Sequence, residues 1–186
     1  NNNASNNNQS GIGMRNCSYI NITGNMLLSN NHSGIWMEDS NNNTISNNNA
    51  SNSVMNDGIG MRNCSHIQIT GNTLLSNNHS GIWVGDSDNN IINGNIASNN
   101  NHHGIVIQNS SYNNISDNNA SGSIMYNGIW MDNSANNIIN NNNASNNNHS
   151  GIGMRNCSHF NITGNTLSSN NHNGVSMEDS SNNTIS

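Results

Sequence analysis

A glycine followed by Ile or Val returns at Gly11, Gly34, Gly58, Gly81, Gly104, Gly128, Gly151 and Gly174, at intervals of 23 or 24 residues. No other feature restricts the fold so tightly. A period of this length running through all 186 residues belongs to stacked units, each burying its apolar side only against its neighbours. One whole phrase, GIGMRNCSHFNITGNT at Gly151–Thr166, recurs almost unchanged at Gly58–Thr73 and more loosely at Gly11–Met26. A catalytic site is normally assembled once from unlike residues, so repetition of this kind makes the unit itself the structure.

Counting from each glycine as zero, position 1 is Ile or Val, and position 3 is Met, Val or Ile (Met14, Met37, Met61, Val84, Ile107, Met131, Met154, Met177). Position 11 is always Ile, from Ile22 to Ile185, and position 16 is Leu or Ala. Apolar residues two apart mark a strand with one buried face. Each repeat therefore reads as three short strands joined by polar bends. Position 13 is Gly, Asn or Asp, the types that tolerate positive φ. Position 14 is always Asn, from Asn25 to Asn165, and identical amides one layer apart can bond to one another as a ladder.

Composition matters because the periodicity has to overcome it. Asn fills 54 positions, only 30% of residues are hydrophobic, and there is no Pro and no Lys. So little apolar surface would ordinarily leave a chain unfolded. Yet charged residues make up only 6%, unlike disordered chains, and the pattern is strict. Three Arg cannot neutralise a phosphate track, which argues against nucleic acid. No apolar run reaches the roughly 18 residues of a membrane span, and no signal peptide or cofactor signature is visible.

The words NITGN at Asn21–Asn25 and GIWM at Gly34–Met37, repeated along the whole chain, resemble the NosD-like repeat of right-handed parallel β-helices, as in archaeal cell-surface proteins. The resemblance implies an all-β solenoid: eight coils of 23–24 residues, three short strands per coil, in one domain over residues 1–186. At about 4.8 Å per layer, eight layers make a rod of roughly 38 Å. The resemblance leaves function open, because the family includes copper-linked, carbohydrate-linked and structural members.

Outward positions carry the candidate sites. Position 2 alternates small residues with Trp36, Trp83 and Trp130. Each indole has a small neighbour it can cover, and the row can also serve as aromatic platforms for glycans or lateral contacts. Position 4 alternates charge (Arg15, Glu38, Arg62, then Asp132, Arg155, Glu178), which suits register more than chemistry. Asp39, Asp86 and Asp179 at position 5 raise the paired-carboxylate chemistry of a lyase or hydrolase, but they are spread over several layers. His79 and His102, and His149 and His172, stand in adjacent layers, so each imidazole pair could share a Cu or Zn ion. Cys17, Cys64 and Cys157 are spaced too widely for a disulfide. Asn148 and Asn161 lie in Asn-x-Ser/Thr sequons and are glycosylation candidates.

Placing Ser186 before Asn1 continues the repeat without a break, and neither end has a capping element, so the chain is expected either to be one unit of a longer tandem-repeat protein or to self-associate head to tail through open β-edges. The leading expectation is an extracellular or cell-surface structural rod or filament subunit without catalysis. The alternative is a carbohydrate-binding or NosD-like copper-binding module.

Overall fold

The computed structural model describes residues 1–186. Two parallel eight-stranded sheets run the length of the molecule, and each coil contributes one strand to each sheet in sequence order. The first sheet takes four residues per coil, as in Ile35–Glu38, Ile82–Gly85 and Ile129–Asp132. The second takes three, as in Thr44–Ser46 and Ile91–Asn93. The third segment is a column of single-residue parallel bridges, Asn3 to Met26 to Asn49 to Thr73 and onward. It stays that short because a bend follows within a few residues.

Register is unshifted throughout: Ile35 pairs with Ile59, Met37 with Met61, Ile69 with Ile92. The inward columns at positions 1, 3, 11 and 16 thus form one continuous apolar bore, with Ile35, Met37, Ile45 and Ala50 all fully buried. The repeated glycine is required by close approach. A methyl on Gly81 would stand 2.7 Å from Ala97 Cβ and 2.8 Å from both Asn100 Nδ2 and the Gly104 carbonyl oxygen.

The Asn column at position 14 is a ladder. Asn95 Oδ1 accepts from both the backbone N–H (2.9 Å) and the amide (3.0 Å) of Asn72, and Asn95 Nδ2 donates to the Ile69 carbonyl at 2.8 Å. Further columns do the same work at other corners: Asn77 to Asn100 and Asn147 to Asn170, Asn90 to Asn113, and Ser87 Oγ accepting from the Cys64 N–H. Polar groups that would be orphaned in a narrow interior are thereby satisfied within the stack.

Four bends per coil, at positions 5, 8, 13 and 18, adopt positive φ; Asp39 (50°), Asn42 (55°), Asn47 (55°) and Asn52 (61°) represent one coil. The sequence pattern exposed only the position-13 bend. Asp39, Asp86 and Asp179 belong to the first bend, with φ of 50°, 49° and 46°; their short polar side chains suit the left-handed region. Cys17, Cys64 and Cys157 are free thiols.

Candidate functional site

The outward face of the four-residue sheet, with the residues leading into it, carries a stripe of rings parallel to the long axis. Trp36 and Trp83 lie nearly parallel, centroids 6.1 Å apart with an interplanar angle of 15°. Gly60 stands between them in the stack, and a methyl there would meet Trp36 ring carbons at 2.8 Å. Trp130 covers Gly153 in the same way, at 2.7 Å. Each indole is half-buried, Trp36 and Trp130 against the glycine of the next coil and Trp83 against Gly85 of its own strand. The shielding expected of the Trp row is what this geometry shows, each indole covering a glycine.

The stripe continues through imidazoles and a phenol. His103 stacks between Tyr126 (5.2 Å, 19°) and Trp130 (6.1 Å, 19°), and Tyr126 meets His102 edge-on at 5.2 Å. The Arg155 guanidinium lies 5.8 Å from the Trp130 ring and is held in bidentate contact with Asp132, Nε to Oδ1 at 2.9 Å and a terminal nitrogen to Oδ2 at 3.1 Å. Shallow clefts open at both ends: about 250 Å3 among Trp36, Asn56, Asp57, His79 and Trp83, and about 310 Å3 among His103, Tyr126, Asn127, Trp130 and His149. A larger groove of about 400 Å3 lies on the neighbouring bend, lined by Asp39, His66, Asp86 and Asp88. It is polar and ringed by bend residues, so it offers no comparable platform.

Asp57 and Asn127 are equivalent, one residue before Gly58 and Gly128, at the ends of the two 24-residue coils. Asp57 Oδ1 accepts from the Ser80 N–H at 2.9 Å and contacts His79 Nδ1 at 2.8 Å. Asn127 Oδ1 does the same for Ser150 and His149, both at 2.9 Å. The extra residue thus places an acceptor that orients the histidine of the next coil. The hydrogen bond that His79 donates to the Asp57 carboxylate raises the His79 pKa above its ordinary value, against the opposing effect of burial. Burial lowers His102 and His149. Burial and the surrounding imidazoles push His103 down to about 3, so it is a neutral ring whose Nδ1 accepts from the Asn127 N–H at 3.3 Å.

The imidazoles of each candidate metal pair are adjacent. His79 and His102 have ring centroids 4.4 Å apart, and His149 and His172 stack at 4.0 Å and 21°. Nδ1 of His79 and of His149 is occupied by its acceptor, and no three His, Cys, Asp or Glu side chains converge on one point. The glycosylation candidates are both exposed. Asn148 is bonded to Asn171 at 2.8 Å, and Asn161 begins the strand Asn161–Thr163. Asp57, His103, Tyr126 and Asn127 were not singled out by the sequence pattern. The 24-residue intervals were the available signal.

The family profile described as "Right handed beta helix region" matches residues 57–186, and that described as "Periplasmic copper-binding protein (NosD)" matches residues 1–78. The copper-family segment ends before His79, so it contains neither imidazole pair. No curated protein matches the sequence at a significant level. Among solved structures, a point mutant of the periplasmic alginate epimerase AlgG aligns with a TM-score of 0.74 at 18% identity, over 94% of this chain and 47% of that one. The bacteriophage CBA120 tailspike protein 2 aligns at 0.61 and 12%, over 94% and 35%. The A-module of the Azotobacter vinelandii mannuronan C-5 epimerase AlgE6 aligns at 0.51 and 10%, over 88% and 65%. The chain thus spans about half the length of the AlgG structure it matches.

At these identities the likeness is one of fold. It still corrects the expectation that the chain is not an enzyme. AlgG and AlgE6 are epimerases on the same parallel coil, so repetition of the coil is no argument against catalysis. Stacking brings residues far apart in sequence onto one face, as it does His103, Tyr126 and His149 here. The descriptions that match are those of a copper-binding family and of alginate-acting proteins rather than of filament subunits, and no third His, Cys, Asp or Glu side chain converges on either imidazole pair.

Proposed function

The chain belongs to the right-handed β-helix family, and from that premise we propose that it binds an extended polysaccharide lengthwise along the ring stripe, outside the cytoplasm. The observation that carries this reading is the row Trp36, Trp83 and Trp130, each ring seated on a glycine and only half-buried on the outward side of the sheet. From the second coil to the sixth the row covers about 19 Å at ~4.8 Å per layer. Sugar rings present C–H faces that stack on aromatic rings, while their hydroxyls need donors and acceptors at the edges. Asn56, Gln108 and Asn127 lie along the stripe and supply those groups. Placement outside the cytoplasm is supported by the descriptions of NosD and AlgG as periplasmic.

The test is a titration of the protein with glycan oligosaccharides, read by Trp fluorescence and calorimetry. Trp83→Ala and Trp130→Ala should each weaken binding by about tenfold or more, with far-UV circular dichroism unchanged. NMR of the recovered ligand reads any epimerisation or cleavage. Full affinity in the triple variant lacking Trp36, Trp83 and Trp130 would overturn the reading.

A further inference from the structure

The charges around the stripe indicate which polysaccharide it accepts. The chain has three Arg, no Lys, and nine acidic residues, for a net charge of −6. Every arginine is paired with a carboxylate. Arg155 is held by both oxygens of Asp132, Arg62 by Glu38, and Arg15 lies between Glu38 (3.6 Å) and Asp39 (3.5 Å). The one imidazole on the stripe whose proton is favoured, His79, sits against Asp57 at 2.8 Å. Along Trp36, Trp83, His103, Tyr126 and Trp130 there is no uncompensated cation.

A polyuronate or sulfated glycan carries an anionic group on nearly every sugar. Recognition of such a chain depends on guanidinium or ammonium groups free to meet it. Here the chain would have to break the Arg155–Asp132 pair, which would strand a buried carboxylate, or lie without a counter-charge on an acidic protein. Hydroxyl groups impose neither requirement. We propose that the ligand of the ring stripe is an uncharged polysaccharide, one bearing neither carboxylate nor sulfate. This rests on the reading of the stripe as a glycan platform, and it separates the chain from the alginate-acting proteins whose fold it shares.

The experiment compares ligands of about six sugars, long enough to span the ~19 Å row. Neutral gluco-, manno-, xylo- and galacto-oligosaccharides are set against oligomannuronate and oligogalacturonate, all in EDTA so that no calcium bridges acid to acid. At low salt, at least one neutral ligand should bind about tenfold or more tighter than either uronate. Its affinity should hold within about twofold between roughly 0.02 and 0.5 M salt. Uronates binding as tightly as the neutral panel, with affinity falling as salt rises, would overturn the proposal and leave the platform standing. If no member of either set binds, the platform reading fails and the proposal with it. Gln108→Lys supplies a second reading: an unpaired ammonium on the stripe should raise uronate affinity severalfold relative to that of the neutral ligand. No gain there would show that charge does not set the preference, and would overturn the proposal.

Discussion

Truncating one rung of the Asn ladder tests the account of what holds a coil of so little apolar content together. Asn95 is buried at 1% exposure in the middle of the rod. Its Oδ1 is the acceptor recorded for the Asn72 N–H, at 2.9 Å. Its Nδ2 donates to the Ile69 carbonyl (2.8 Å) and to Asn118 Oδ1 (3.0 Å). In Asn95→Ala the Asn72 N–H is left buried and unpaired, which costs about 1–3 kcal/mol, and the lost bond to Ile69 adds about 0.5–1.5 kcal/mol. The Asn72 side chain keeps the Ile45 carbonyl at 3.0 Å, so it adds little. The sum is about 3 kcal/mol. With an m-value of about 2–3 kcal/mol/M for a chain of this size, the urea midpoint followed by circular dichroism should fall by about 1 M. Asn78→Ala is the control: it is exposed and should stay within about 0.5 kcal/mol. Because solenoids open locally, native-state hydrogen exchange should also show the Asn72 amide losing protection first. Equal midpoint shifts for the two variants, or an unaltered Asn72 amide, would refute the ladder as the device that stabilises the corner.

Gly60→Ala should tilt Trp36 off its seat, since the new methyl would meet the ring at 2.8 Å; a shifted Trp emission and weakened glycan binding with the β signal intact are expected. Acid should destabilise the protein between about pH 6.5 and 3. His103 is held at about 3 when folded, so the unfolded chain binds the proton first, and stability drops as pH falls through that window. The His79–Asp57 pair works in the opposite sense: its contribution is complete below pH 6.5 and is lost as pH rises through the raised folded value. Thermal melts against pH should therefore show a shallower acid limb in His103→Gln, and a wild-type slope in that variant would contradict the assignment. Tyr112 holds φ of 58° on the surface in a column otherwise including Asn42, Asn89 and Asn136. Tyr112→Asn should stabilise by about 0.5–1 kcal/mol in urea melts, because Asn tolerates that region better.

How much of the molecule could be read beforehand differs by level. The period, the inward Ile and Met columns, the position-13 bends and the position-14 ladder were all legible, since each repeats in every coil and the constraint acts on every copy. The position-8 bend was hidden because its column mixes residue types: Tyr19, Asn42 and His66 share one conformation, and only the stacked backbone imposes it, whereas position 5 holds only Asn and Asp and was open to the same reading as position 13. The Trp row was visible as alternation, but its partners were not.

Sequence by itself determined that a coil repeats, which residues line its bore and where amides brace its corners, because a register of zero shift makes every layer answer to the same local rule. Tertiary stacking alone decided the stripe. His103 lies between Tyr126 and Trp130, and Asp57 reaches His79, only because parallel pairing lays residues about 23 positions apart on adjacent layers; side-chain tilt then selects among several possible neighbours.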